Sequence, residues 1–415
     1  MSALGATMGL ILAIILIIKK VSPVYSMILG AVVGSLAGGV SLGDTVGNMI
    51  SGVRDIVPAI VRILSAGVLF GVLITTGAAE SISRGIVRGL GHRNTLMAIA
   101  LAAMLLTATG VFIDVAVITV APIALMAGRK AGINRLKLLL AMVGGGKCGN
   151  IISPNPNTII AAENFGAPLP SVMYVNIIPA IVGLMLTVWV VARLVPSGEE
   201  ETAPMDNPME EAALPPLALS IIAPLVSVIL LVLRPLCGIT VDPLIALPVG
   251  GLVGIVAMGR WRQVGASMTF GLQKMSVVAV LLVGTGTIAG VIKASTLKDV
   301  ILGLMERGGV GNTALAPISG ALMSAATAST TAGATVASAS FAEAILAAGI
   351  SAVWGAAMVN SGATALDHLP HGSFFHATGG AVEMTIRQRL KLIPYETAVG
   401  VILAILTVAC YYVIG

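Results

Sequence analysis

Charge is scarce in this sequence. Asp, Glu, Lys and Arg make up 10% of its 415 residues, whereas a soluble domain carries about 25% because its surface faces water. Most of the surface must therefore face lipid, which excludes a water-soluble globular protein. Aromatic residues are also few, at 4%. The three cysteines, Cys148, Cys237 and Cys410, lie far apart with no CxxC pair. That spacing argues against a disulfide framework or a zinc site and leaves them as small apolar residues. No basic patch with interleaved aromatics occurs, so the net charge of +5 does not mark a nucleic-acid partner. It fits a bias of cations toward cytoplasmic loops.

The remainder is apolar. Hydrophobic residues make up 57% of the chain, the mean hydropathy is +1.03, and 49 glycines suit close helix packing in lipid. Leu10 to Ile18 and Ile221 to Leu233 are nearly unbroken apolar runs, where the strands of a membrane barrel would alternate. The expectation is an all-α polytopic membrane protein, with room for about ten to twelve spans of roughly 20 residues. The first run follows an uncharged start and ends in Lys19 and Lys20, so it reads as a retained helix rather than a signal peptide. Pro196 to Pro216 carries Glu199, Glu200, Glu201, Asp206, Glu210 and Glu211 among prolines and cannot cross a membrane. It reads as an acidic cytoplasmic linker, 196–216, between a first membrane repeat, 1–195, and a second, 217–415.

The two halves share an order of features. Gly67 to Gly77 leads to a basic stretch ending at His92 and Arg93, then a polar-interrupted hairpin, 94–127, then a helix, 138–165, broken at Ser153–Thr158. In the second half Gly284 to Thr287 leads to Arg307, a hairpin, 311–347, and a helix, 350–378, broken at Asp367–Ser373. Corresponding features lie roughly 215 residues apart, as in transporter repeats. The clusters Arg84/Arg88/His92/Arg93 and Arg129/Lys130/Arg135/Lys137 flank the first hairpin. Both read as cytoplasmic, so the segment between them enters and leaves from one face. Counting onward puts Arg260, Arg262, Arg387, Arg389 and Lys391 inside and opens the second hairpin outward. Lys293, Lys298 and Arg307 then fall outside, against the bias. The halves are expected to be inverted repeats, each with about five spans, a re-entrant hairpin and a broken helix.

Irregular backbone survives in hydrocarbon only where protein encloses it or it lines a cavity. Pro154 and Pro156 cannot continue a helix. Around them Ser153, Asn155, Asn157 and Thr158 offer donors and acceptors, and half-helix ends offer a positive pole for an anion and carbonyls for a cation. A surface loop is the plain alternative, but the apolar flanks 138–143 and 159–162 argue for membrane depth. The second break holds Asn360, Ser361, Asp367, His368, His371 and Ser373. Three of the four histidines, His368, His371 and His376, lie there, but without a metal-binding frame no metal or other cofactor is expected. Ser329, Thr330 and Thr331 centre the second hairpin, where hydroxyls either pack its arms or bind a carboxylate. Asp114 lies in the first hairpin, an ionisable position that is costly in lipid and so expected to be functional and partnered. Lys147, in the Gly144–Gly149 stretch, either holds an anion or neutralises Asp114. A phosphate-loop reading of that stretch fails, because Ala141 and Cys148 replace required residues.

With these segments placed, the chain resembles the gluconate permease family, the gluconate:proton symporters of the ion transporter superfamily. The marks are Leu42–Thr45, Phe112–Val115 with Pro122, the Pro154/Pro156 break, Gly362–His368, Ser373–Phe375 and Glu396. The resemblance implies a scaffold domain and a moving transport domain in a homodimer of the inner (plasma) membrane. It further implies import of a small hydroxy- or sugar-acid anion with protons by an elevator-type mechanism. Relatives tend to carry histidines near the first break, where this chain has Gly149 and Asn155, so a shorter carboxylate is as well supported as gluconate. The expected substrate-binding residues are Lys147, Ser153, Asn155, Asn157, Thr158, Ser329, Thr330, Thr331, Asn360, Ser361, His371 and Ser373. The expected proton-coupling residues are Asp114, Asp367 and His368. Sodium coupling or inorganic ion exchange on the same architecture is the alternative. No enzyme is expected, because no nucleophile pairs with a base.

Overall fold

The computed structural model describes residues 1–90, 94–196, 214–237, 239, 241–297, 299–300, 312–370 and 372–415. Most of the acidic linker (197–213), His92, Arg93, Lys298, Arg307 and His371 lie outside the described residues. The described chain is helical, and no strand occurs in it. Four helical stretches are long and apolar enough to cross a membrane: Leu42–Thr75, Leu169–Leu194, Trp261–Lys293 and Ile386–Ile414. Shorter apolar helices surround them.

The helices form two packed groups. Leu42–Thr75 and Val264–Lys293 are the spine of the first. Their backbones touch because glycines face each other. A methyl added at Gly52 would collide with the carbonyl of Gly286, and one at Gly71 with that of Ser267. Lipid tails give two apolar helices no reason to associate, so this close van der Waals contact supplies the cohesion. The helix pairs Ala3–Ile18/Pro23–Ala37 and Ile222–Cys237/Pro243–Ala257 pack onto the spine.

The second group contains both hairpins and both broken helices that the sequence pattern predicts. The first hairpin is Thr95–Ala108 and Ile113–Lys130, and the second is Leu315–Thr327 and Thr330–Ala347. The first turns at Gly110 with φ +101°, where the lack of a side chain permits the left-handed backbone. The second turns at Ala328 with φ +45°, a conformation that costs an L residue roughly 1–2 kcal/mol. The broken helices are Arg135–Asn150 with Pro156–Asn164, and Ala352–Gly362 with Ser373–Ala381. Pro156 restarts the first as residue N1, where no N–H is needed, and Asn155 caps it by accepting from the Thr158 amide at 3.1 Å. Ile177–Leu186 and Ile393–Ile414 close the group.

The two groups meet along seams between Val264–Lys293 and Thr330–Ala347, Leu42–Thr75 and Pro156–Asn164, and Ala3–Ile18 and Leu315–Thr327. Both hairpin tips and the second helix break point into one of these seams.

Candidate functional site

Lys147 is the centre of a sealed ionic core. Its side chain is 0% exposed and Asp367 is 2% exposed. The ammonium reaches Asp367 Oδ1 at 2.7 Å, the Thr364 carbonyl at 2.5 Å, His368 Nδ1 at 3.0 Å and the Glu396 carbonyl at 3.3 Å. An ammonium has three N–H groups, so it is saturated inside the protein. Its carboxylate partner is therefore Asp367 of the second break. The alternative in which it neutralises Asp114 is not what the fold builds, because Asp114 sits on the opposite hairpin tip and Asp367 lies against Lys147. The other oxygen of Asp367 accepts from Thr330 Oγ1 at 2.5 Å, which ties the second hairpin tip to the core.

His368 has a readable tautomer. Its Nε2 lies 3.1 Å from the Ile393 carbonyl and 3.1 Å from Thr397 Oγ1. A carbonyl only accepts, so Nε2 carries hydrogen. Nδ1 lies 3.0 Å from Lys147 Nζ and 3.1 Å from Asp367 Oδ1. A neutral ring accepts from Lys147, whereas a protonated ring donates to Asp367 and leaves the third Lys147 N–H to the Glu396 carbonyl.

The polar residues of the two breaks mostly bind one another. Asn157 donates to Asn360 Oδ1 at 2.8 Å, and Asn360 donates to Thr158 Oγ1 at 3.0 Å. Asn155 donates to the Asn150 carbonyl at 3.0 Å and to the Asn150 side chain, and accepts from Thr158 Oγ1 at 3.1 Å. Ser361 donates to the Met358 carbonyl at 3.1 Å. These residues are all buried, and they join the broken helices to each other rather than facing open space. Ser153 is buried too, and its hydroxyl has no hydrogen-bond partner.

A cavity of about 820 Å³ lies in the seam between the two groups. The first hairpin contributes Phe112 to Val115, the second Thr327 to Ala332, and the breaks Asn150, Asp367, Ser373 and Phe374. The spine helix 264–293 forms the facing wall. Ser329, Thr330, Thr331 and Ser373 line this space with Asp114 and Asp367, whereas Lys147, Ser153, Asn155, Asn157, Thr158, Asn360 and Ser361 do not. Asp114 lies in the first turn of its helix, the positive end, and accepts from the Val115 amide at 2.9 Å.

A sequence profile described as GntP family permease matches residues 1–414. The chain belongs to the GntP permease family. An uncharacterized transporter of Haemophilus influenzae is 53% identical over 356 residues, 86% of this chain and 85% of that one. A low-affinity gluconate transporter of Escherichia coli is 26% identical over 126 residues, 30% of this chain and 28% of its own length. A gluconate permease of Pseudomonas aeruginosa is 25% identical over 121 residues, 29% of this chain and 27% of its own. The fold is similar to that of the Alcanivorax borkumensis YdaH transporter, with a TM-score of 0.62 at 16% identity, covering 89% of this chain and 87% of that one. This GntP permease is an integral membrane transporter and not an enzyme.

Three features of the permease escaped the sequence reading. Arg389, assigned to a cytoplasmic cluster, is 1% exposed and pairs with fully buried Glu396 at 2.6 and 3.0 Å. Its guanidinium also lies 4.9 Å from the centre of the Phe375 ring. Arg62 bridges the groups, bonding Asp242 at 2.9 Å and Glu163 of the first broken helix. Lys274 lines the cavity from the spine. The positive-inside pattern counts Arg389 as a loop charge, and only the fold shows it folded back onto Glu396.

Proposed function

We propose that this GntP permease is a proton-coupled symporter that imports a small hydroxy- or sugar-acid carboxylate across the inner membrane. The observation that carries the proposal is the seam cavity, where both hairpin tips and the second helix break face a wall from the other helix group. A ligand held there between two separately packed groups changes its access when one group slides on the other. That supports an elevator-type cycle in which the hairpin group moves. The gluconate names of the distant relatives support a sugar acid or a shorter hydroxy acid as substrate. The family resemblance supports a homodimer.

Asp114 is the best-placed proton carrier. It lines the cavity and has no hydrogen-bonded cation among the described residues. Protonating Asp367 would leave Lys147 buried without its counter-charge, which costs several kcal/mol. Protonating Asp114 strands no buried cation, because Lys274, whose charge acts on it, is exposed to the cavity. Sodium coupling has one observation in its favour, the unpartnered hydroxyl of Ser153 beside the first break.

Uptake of radiolabelled gluconate, glycerate and lactate into proteoliposomes, under a proton gradient alone or a sodium gradient alone, separates the two. The expected result is accumulation driven by protons. Asp114→Asn should abolish gradient-driven accumulation while exchange of preloaded substrate continues. Accumulation driven by sodium alone would sink the proton reading.

A further inference from the structure

The permease places a second lysine, besides Lys147, close to the hairpin tips. Lys274 lies in the Val264–Lys293 helix, ten residues from its start and roughly 15 Å along the axis, just ahead of the apolar run Val277–Val283. A lysine in a membrane-crossing helix is costly unless it pairs or reaches a polar cavity. The Lys274 side chain is exposed and lines the seam cavity.

The charged side chains lining that cavity are Asp114, Asp367 and Lys274. Asp367 is already neutralised from behind by Lys147. Lys274 makes no direct hydrogen bond or ion pair among the described residues, and the carboxylate its charge acts on is Asp114 of the same cavity. Its ammonium lies 5.7 Å from the centre of the Phe270 ring, a contact that positions a cation without neutralising it. Phe270 stacks on Phe70 at 5.9 Å, and Phe70 meets Phe112 of the first hairpin tip edge-on at 5.4 Å. An aromatic chain thus runs from the lysine to the hairpin that carries Asp114.

We infer that Lys274, and not Lys147, is the cation that binds the substrate's carboxylate, with the Ser329–Thr331 hydroxyls across the cavity facing the rest of the molecule. The inference rests on the transport reading above. A carboxylate leaving water needs a compensating charge, and in this cavity Lys274 has one to offer. Lys274 belongs to the spine and the hydroxyls to the hairpin group, so the substrate is held from both sides only while the two groups are in this register. Sliding one group past the other pulls the lysine away and releases the anion.

Two measurements test this, one independent of substrate identity. In a background without native cysteines, Ser276→Cys places a thiol on the cavity wall. Its reaction rates with an anionic and a cationic thiosulfonate reagent report the local charge. The anionic-to-cationic rate ratio should fall about tenfold with Lys274→Gln, as expected for removing one nearby charge, and stay unchanged with Lys274→Arg. An unchanged ratio with Lys274→Gln, or no reaction at all, overturns the inference. The second measurement uses whichever of gluconate, glycerate and lactate the wild type accumulates. Lys274→Gln should raise its KM for exchange of preloaded substrate, the step that survives Asp114→Asn, at least tenfold, and adding Asp114→Asn should not restore it. Restoration would show that Lys274 merely neutralises Asp114. If the wild type accumulates none of the three, the carboxylate reading fails by itself, while the rate ratio still shows whether Lys274 makes the cavity attractive to an anion.

Discussion

Lys147 and Lys274 are both lysines near one cavity, yet the protein treats them in opposite ways. Lys147 is enclosed, its three N–H groups consumed by Asp367, Thr364 and His368 or Glu396. Lys274 is exposed to the cavity and touches an aromatic face. A buried charge whose donors are all satisfied holds elements together. A charge with unused donors in a cavity is available to a ligand. The polar atoms divide the same way. The break amides Asn155, Asn157 and Asn360 are spent within the breaks, donating to Asn150, Asn360 and Thr158 in turn, while the hydroxyls of the second hairpin tip line open space.

Breaking the sealed side should have the largest effect. Lys147→Gln leaves Asp367 buried without its cation and should destabilise the protein by about 3–5 kcal/mol. The midpoint of thermal unfolding, followed by size-exclusion chromatography in detergent, should fall sharply, and Asp367→Asn in the same chain should recover most of the loss. A Lys147→Gln protein that melts like the wild type but has lost substrate affinity would erase the contrast and return Lys147 to the binding site.

A smaller effect is expected where the two breaks are stitched together. Asn360→Ala removes one donor and one acceptor shared with Asn157 and Thr158 and leaves buried partners unpaired. The cost should be about 1–3 kcal/mol, read from the same melting curves. Uptake per folded molecule should change less than stability does. If transport is lost while the melting midpoint stays put, these amides touch substrate and the division drawn above is wrong.

The smallest change concerns the tip of the second hairpin. Ala328 occupies the left-handed region, so Ala328→Gly removes steric strain but gives the unfolded chain more freedom. The two effects oppose each other, and the net change should stay within about 1 kcal/mol. A loss larger than that would mean the Ala328 methyl itself braces the tip, in keeping with its place beside Gly372.

Much of the architecture was readable along the chain. Apolar runs, the Pro154/Pro156 pair, the small-residue stretch around Ser329 and the glycines are local signals. Each acts within a turn or two of helix, and so they marked the hairpins and the breaks. The site was readable only in part. Asp114 and Ser329–Thr331 stood out as polar residues in apolar surroundings, and they line the cavity. Lys274 did not stand out, because one lysine in a long helix looks the same from sequence whether it faces lipid, protein or water.

By itself the sequence determined the membrane class, the helical fold, the two hairpins and the two broken helices. Hydropathy and backbone restriction are properties of short segments, and lipid enforces them strictly. The tertiary structure alone decided which charge meets which. Lys147 finds Asp367 from the other half of the chain, Arg389 turns back onto Glu396, and Lys274 is left facing the cavity. Electrostatic pairing depends on distances of a few ångströms between side chains, and in this permease helix packing across the two halves sets those distances.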